Sequence, residues 1–511
     1  MSNSEGARPL GKSARVTRIE FSRVIWVGRV TIFMAGLAVM TALLMGLVLT
    51  ARPAHAETIT VNTTSNDPTL TDKCTLEGAI TAANTNDPIT NNCAEGDPPS
   101  TARDTIEFDI PLTDTGCNAT SGVCTISPRQ GVEGLPEILE TVTIDGYSQP
   151  GARANTRAVG NDAVLKIELD GTGQGSNTSG LRLTGSAPNS VVRGLVINDF
   201  NQIGAGISIT GTGNKIEGNF IGTDPLGTLD RGNSFGVNID RGLGVLGVDN
   251  SGSNNTIGGA SPDARNVISG NDFMGVYVST TTGTKIEGNF IGTTKNGTGK
   301  LGNSGTGVYL VGASNNTVGG VDDPSTPQTE FPANTIAYNS GDGVSLGRLS
   351  HSDGSGGTTY TYSTSNRIPS NSIFSNGGLG INLNDGSTPN DDQDPDTGAN
   401  NLQNYPVINS AKTKGSKTTI KGTLNSTPST ATTPQTFTIQ FFSSPKSTRE
   451  EGKKLLGQLT GAQSVTTDAQ GNASFSIRVP RASGFVTATA TSDATDDTSE
   501  FSAPKKVVLL Q

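Results

Sequence analysis

The sequence predicts an all-β chain: a right-handed parallel β-helix capped by a short N-terminal helix, followed by a C-terminal immunoglobulin-like β-sandwich. Three observations predict it. The nonapeptide KIEGNFIGT stands at Lys215–Thr223 and again, unchanged, at Lys285–Thr293. A glycine followed by Val or Ile, any residue and then an aliphatic occurs six times between 206 and 383, as GISI, GVNI, GVYV, GVYL, GVSL and GINL. Beyond NLQNYP at 401–406 these short units give way to longer alternating runs.

The N-terminus is a targeting segment. Arg8, Lys12, Arg15, Arg18, Arg23 and Arg29 outnumber Glu5 and Glu20, and an apolar run of 19 residues follows at 31–49. With the small-x-small site Ala54-His55-Ala56, residues 1–56 read as a secretory signal cleaved before Glu57. The alternative is an uncleaved membrane anchor, because such a run nearly spans a bilayer. Either places the rest of the chain outside the cytoplasm, secreted or at the cell surface. Without residues 1–56 the chain keeps 29 basic and 44 acidic residues, a net charge of −15. That excess, with no basic cluster, excludes nucleic acid and anionic membranes as partners. Four cysteines in an exported chain favour disulfides. Short loops favour Cys74–Cys93 with Cys117–Cys124 among the three possible pairings, and no Cys/His cluster offers zinc a site.

The repeats lead to the β-helix. Short alternating apolar runs separated by Asn and Gly turns are strands too short to bury a face alone, and stacking them closes a continuous core. Equivalent residues then lie about 4.8 Å apart on successive coils. A second element, Ile-x-x-Asn, recurs at Ile216/Asn219, Ile268/Asn271, Ile286/Asn289, Ile336/Asn339 and Ile373/Asn376. Asn at a repeated bend tolerates left-handed backbone and can stack its amides into a ladder, while Gly serves where φ is positive. A third element, NNTIGG at 254–259, returns as NNTVGG at 315–320. A β-propeller would need longer strands and a recurrent aromatic. In KIEGNF, Ile216 points inward and Lys215 and Glu217 outward. Their partners on the next coil are Thr256 and Gly258, then Lys285 and Glu287, then Thr317 and Gly319. Like charges therefore sit on alternate coils, as solvated scaffold rather than a duplicated active site.

Two similar polar loops leave this repeat, at 220–236 and 290–307. Loops on a rigid scaffold often carry binding, which makes Asp224, Arg231, Asn233, Lys295, Lys300 and Asn303 candidates for contacts to a repetitive glycan. Ordinary tolerated insertions are the competing reading.

The run CTLEGAITAAN at 74–84 resembles the CSLREA motif that opens many secreted bacterial parallel β-helix proteins, and the NTIGG and GNFIGT repeats, SNGGLGINL and NLQNYPV are similar to that group too. The resemblance spans nearly all of the chain after residue 56. It implies a right-handed β-helix at the cell exterior, often with a C-terminal domain, and says little about chemistry. The chain departs from the motif at Gly78, where a Glu would complete a capping box with Thr75. Leu76, Ala79, Ile80 and Ala83 still share one helical face, suited to plugging the open end of the β-helix beside Cys74–Cys93.

Candidates for chemistry are few. The fold permits lyases and hydrolases without establishing one. Asp109, Asp145 and Asp170 each follow an aliphatic or aromatic strand residue, and Asp145 and Asp170 are 25 positions apart, the length of one coil. Stacked, their carboxylates would lie about 5 Å apart, which suits a polysaccharide lyase or a retaining glycoside hydrolase. Against this, Asp-Gly is an ordinary turn start and no Arg or Lys recurs in register with them. In NDGSTPNDDQDPDTG at 384–398, Asp392, Asp394 and Asp396 alternate as in a calcium loop, although Gly398 comes late and Gln403 replaces the closing Glu. Calcium is the one cofactor this suggests, at the joint between a β-helix over 57–404 and a sandwich over 405–511. The reading is an exported structural or adhesive protein that binds polysaccharide without catalysis.

Overall fold

The computed structural model describes residues 57–67, 69–86, 92–96, 103–129, 134–241, 252–320, 333–352, 356–383, 386–445 and 449–511. The export segment expected in residues 1–56 lies outside them.

The chain winds into a right-handed parallel β-helix with three sheets of eight strands. Sheet A runs from Thr58–Val61 through Val142–Asp145, Val191–Arg193, Lys215–Glu217 and Lys285–Glu287 to Thr317–Val318. Sheet B runs from Cys124–Ile126 through Ile167–Asp170, Phe220–Ile221 and Phe290–Ile291 to Ser372–Phe374. Sheet C stacks Leu181–Leu183, Ala205–Ile209, Phe235–Ile239, Val276–Ser279, Val308–Val311, Val344–Ser352 and Ile381–Asn382. The six Gly-aliphatic-x-aliphatic units are the last six of these strands, in register from Ile207 through Val237, Val276, Val308 and Val344 to Ile381. Inward residues are small or branched aliphatics with no solvent exposure, among them Ile216, Ile257, Ile286, Val237, Val276 and Val308. Each contributes about 1.5–3 kcal/mol of transfer free energy; no single coil could gather enough of it alone.

The glycines that open the sheet C units are explained by stacking, not by the positive φ expected of them. At Gly236, Gly275, Gly307 and Gly343 an added Cβ would lie 2.5–2.7 Å from the carbonyl oxygen of the next coil's glycine. None of the four has positive φ. The coils approach too closely there for any side chain.

Asparagine ladders hold the corners: the Ile-x-x-Asn element serves two of them, and a third corner, before sheet A, carries Asn214 and Asn255 and then Asn316, Asn366 and Asn400. Between sheets A and B the side-chain amides run Asn219, Asn266, Asn289, Asn334, Asn371, joined at 2.9–3.3 Å. Between sheets B and C they run Asn233, Asn271, Asn303, Asn339, Asn376, joined at 2.8–3.1 Å. All the amides of these two ladders but Asn339 also donate to a backbone carbonyl, as Asn219 does to Val192. A bend leaves backbone groups unpaired at every coil, and the ladders satisfy them.

Both ends of the core are closed. At the N-terminal end the helix Leu76–Thr85 buries Leu76, Ala79, Ile80 and Ala83 in the β-helix core, and Thr75 Oγ accepts from Gly78 N at 3.0 Å. Both disulfides form as the loop lengths suggest, Cys74–Cys93 and Cys117–Cys124. At the other end sits a sandwich of a four-stranded and a five-stranded sheet. It is no loose appendage. Phe442 and Phe501 pack edge to face at 5.3 Å inside the β-helix core, and Ile373 and Gly452 exchange backbone hydrogen bonds at 2.9 and 3.0 Å. Glu451 terminates the second ladder by accepting from the backbone of Ser375 and Asn376, both at 2.8 Å.

Candidate functional site

The interior repeats from coil to coil, so function has to lie on the three outer faces. Side chains alternate in and out along each strand, and the register gives one outward column per face.

On sheet A the charges behave as the repeat predicts. Lys215 stacks on Thr256, Thr256 on Lys285 and Lys285 on Thr317, so the lysines occupy alternate coils. The neighbouring column is Glu107, Asp145, Arg193, Glu217. Arg193 bonds to Asp145 at 2.7 Å, which raises the guanidinium pKa further. Burial pushes the Glu217 carboxyl up, and Arg193 and Lys215 oppose that shift. An arginine therefore does stand in register with Asp145, contrary to expectation.

Asp145 and Asp170 do not stack. Asp145 ends a strand of sheet A and Asp170 a strand of sheet B. The 25 residues between them are not a full turn of the helix, because the chain makes a long excursion before reaching sheet B. Each carboxylate starts a turn: Asp145 accepts from Tyr147 N at 3.0 Å and Asp170 from Thr172 N at 2.9 Å. Asp170 faces Arg231 at 3.9 Å, and Arg231 pairs with Asp199 at 2.5 Å. Asp109 is exposed and out of register, since Glu107 is the residue beside Asp145. No acid/nucleophile pair is assembled from these three.

Of the loop candidates, Asn233 and Asn303 are wholly buried rungs of the second ladder and cannot meet a ligand. Asp224 ties its own loop by accepting from Thr228 N and Leu229 N at 2.7 and 2.8 Å. Arg231 is engaged as above. Lys295 joins the two loops through its backbone N–H to Gly227 at 2.9 Å, leaving its side chain and that of Lys300 at the surface.

The acidic joint differs from expectation by one residue. Carboxylate oxygens of Asp391, Asp394 and Asp396 lie within 4.8 Å of one another, and Asp392 is exposed. Gln393 and Asp394 both have positive φ, 67° and 58°, so the chain curls and the simple alternation fails. Burial pushes Asp394 up to about 6, against hydrogen bonds from Ser426 at 2.5 Å and the Asn404 backbone at 3.2 Å. Gln403 also donates to it, at 2.7 Å.

Sheet B carries an apolar outer column, Val196, Phe220, Val267, Phe290. The excursion after Asp145 roofs it with Tyr147, Ala163 and Leu165. The buried Arg265 guanidinium lies 4.4 Å over the Phe290 ring and donates to the carbonyls of Arg157, Ala158 and Gly160, pinning the roof. Tyr147 donates to the Gly218 carbonyl at 2.8 Å, and burial raises its phenol well above the usual range.

Sheet C is left open as far as Tyr309, beyond which Ser345 and Asn382 are buried, and its outward column is the one the sequence reading passed over. It runs Arg182, Ser208, Asn238, Tyr277, Tyr309, Ser345, Asn382 in unbroken register. From Ser208 on these are the x positions of the six glycine units, whose identities vary from coil to coil. Phe235 and Phe273 stack at 5.7 Å beside Tyr277, and Tyr277 and Tyr309 lie 6.0 Å apart with rings tilted by 55°. At the far end a hairpin of Val344–Ser352 and Thr358–Tyr362 rises from the sheet. It encloses a cavity of about 350 Å³ between Tyr309, Gly347, Arg348, Tyr360 and Tyr362. Arg348 lies 4.3 Å over the Tyr360 ring. His351, the one histidine after residue 56, bonds to Thr361 in this hairpin at 2.9 Å.

No family model and no curated protein matches the chain. Among solved structures it is similar to the A-module of the Azotobacter vinelandii mannuronan C-5 epimerase AlgE4, at 15% identity over 61% of this chain and 87% of that one, with a TM-score of 0.29. The A-module of AlgE6 from the same organism gives 14% identity over 55% and 81%, with a TM-score of 0.28. The Dettilon tailspike protein gives 13% identity over 75% and 76%, with a TM-score of 0.28. At these values the likeness concerns the fold and carries nothing about the site.

Proposed function

We propose that this chain is an exported, non-catalytic glycan-binding rod whose binding face is the open column of sheet C. The observation that carries the reading is the accessible run Ser208, Asn238, Tyr277, Tyr309, one residue per coil, beside Phe235 and Phe273; the column continues beyond it into the buried Ser345 and Asn382. Amides and hydroxyls both donate and accept, as sugar hydroxyls do. Tyrosine rings add an apolar surface with a polar edge. The column repeats every 4.8 Å or so, comparable with the repeat of an extended β-linked hexose chain, so one sugar can meet one coil. Asp240 and Asp342 flank it, contacting Asn238 at 3.4 Å and Asn382 at 2.9 Å. Fixed negative charge on both sides favours a neutral glycan over an acidic one.

The paired-carboxylate enzyme loses its geometric support with Asp145 and Asp170 on different sheets. The disulfides suit an oxidising, extracellular setting. The order of the sandwich strands, with Lys417–Asn425 between Val407–Lys414 and Asn472–Pro480, supports an immunoglobulin-like module serving as the C-terminal cap. Asp391, Asp394 and Asp396 offer hard oxygen ligands of the kind calcium takes, and we assign any calcium to this joint, away from the binding face.

The test is light scattering on a size-exclusion column with neutral polysaccharides. Co-elution at unchanged polymer mass, lost in a Tyr277→Ala/Tyr309→Ala variant of unchanged thermal stability, is the expected result. A falling polymer mass would replace the binder with an enzyme.

A further inference from the structure

The roof over sheet B stops at Phe290. On the next two coils the outward column continues as Thr335 and Ser372, which no roof residue covers. The sandwich strand Lys454–Leu459 forms the opposite wall, and a cleft of about 570 Å³ remains between them. Its lining includes Arg265, Lys453, Lys454 and Arg481, and no carboxylate is among the described lining residues. In a chain carrying a net charge of −15 after residue 56, four cations gathered without an acid are not an average sample of the surface.

Two of these cations are fixed. Arg265 is held by the roof carbonyls and the Phe290 ring. Lys453 has its ammonium 4.0 Å from the Phe374 ring centroid. The other two, Lys454 and Arg481, are exposed on the sandwich wall; among the described residues no carboxylate forms an ion pair with either, although Arg481 donates to the Gly415 carbonyl at 3.0 Å. Lys453, Lys454 and Arg481 are exposed around the buried Arg265, and their summed field draws an incoming anion to the cleft. The second duplicated loop supplies the rim through Asn296 and Thr298, and Thr335 and Ser372 add hydroxyls to the floor.

We infer that this cleft is a second binding site, for a carboxylated or sulfated sugar segment. The charge calls for an anion, and the amide and hydroxyl lining suits the hydroxyls that surround the charge on an acidic sugar. Single-stranded nucleic acid is the lesser fit. It uses open aromatic faces for base stacking, whereas Phe290 and Phe374 are buried and each has a cation on its ring. The site is independent of the sheet C reading, because its residues lie on sheet B and the sandwich and its ligand has the opposite charge preference.

The experiment is isothermal titration of the purified protein at low salt. The probes are a galacturonic acid oligomer, a sulfated dextran oligomer, a neutral maltooligosaccharide of equal length, and inorganic sulfate. At least one acidic oligomer should bind, weaken as salt rises, and weaken at least tenfold in Lys454→Gln/Arg481→Gln. The neutral oligomer should show no response to that substitution, and Tyr277→Ala should leave acidic binding unchanged. Thermal melting checks that the double variant stays folded; both side chains are exposed, so it should. Absence of binding by both acidic oligomers, or binding that the folded double variant retains in full, would overturn the inference. Sulfate competing as tightly as the oligomers would reduce the cleft to a simple anion site and overturn its assignment to sugars.

Discussion

Sheets B and C are built alike inside and differ outside. Both bury a column of Ile, Val and Leu, both end their coils on stacked glycines or asparagines, and both place aromatic residues outward. On sheet B the outward residues from Val196 to Phe290 are Val and Phe, and the chain folds its own excursion over them until Phe220 has no exposure and Phe290 only 7%. On sheet C they are Asn, Tyr and Ser, and no segment among the described residues covers Tyr277 or Tyr309 fully. Phe and Val have no polar atom to satisfy, so a roof costs nothing in lost hydrogen bonds. Ser208, Asn238, Tyr277 and Tyr309, left partly open, keep water or a ligand that replaces water. The composition of an outward column thus records whether the face is closed by its own chain or kept for something else.

The largest test of this contrast is Phe220→Ala. Emptying a buried ring site under the roof should cost about 3–5 kcal/mol in chemical denaturation, with no change in glycan binding per folded molecule. A smaller loss would mean the roof is not load sharing with sheet B.

Neither face should govern the pH dependence of stability, which belongs to the sandwich joint. Burial beside Asp342 and Glu450 pushes Glu500 up to about 7 from 4.5, although it accepts from Leu383 N and Thr388 N. The folded protein then binds the proton more tightly than the unfolded chain. Its contribution is fullest below pH 4.5, is lost as pH rises towards 7, and is flat above. The loss is up to about 3 kcal/mol. Denaturation midpoints across that window should fall in the parent and in Tyr277→Ala equally, and fall less in Glu500→Gln, where the remaining slope comes from Asp394.

Next in size is Asn271→Ala, which breaks the ladder beneath both faces. Leaving its buried partners unsatisfied should cost about 1–3 kcal/mol, measured by denaturation. Tyr277→Ala is the smallest for stability, within about 0.5 kcal/mol for a surface change, yet it should weaken a neutral oligosaccharide about tenfold, or 1.4 kcal/mol. Large destabilisation there would mean that the tyrosine column is structural and would erase the distinction from sheet B.

Much of this was legible in the residues. The repeat fixes the core, and KIEGNFIGT places Lys215 and Lys285 on alternate coils because inward Ile216 and Ile286 leave no other register. What failed did so for identifiable reasons. Ile-x-x-Asn occurs at two corners with the same spacing, so Asn219 and Asn271 read as one ladder when they belong to two. Asp145 and Asp170 are a coil's length apart in sequence, but the roof consumes that length, and separation along the chain does not report excursions. D-x-D-x-D assumes an extended backbone, which the positive φ of Gln393 and Asp394 denies. The Ser, Asn and Tyr at the x positions vary in identity, so they carry no repeat signal. Only the register lines them up.

The most direct test of the binding face is the affinity of the protein for a size ladder of neutral β-linked oligosaccharides. If sugars lie along the column, affinity should rise with each added unit until the chain spans Ser208 to Tyr309, three coil steps or about 14 Å at the strand spacing, and then level off. The rise should be shortened by Tyr309→Ala. Affinity independent of length, or unchanged in that variant, would contradict a binding column on sheet C.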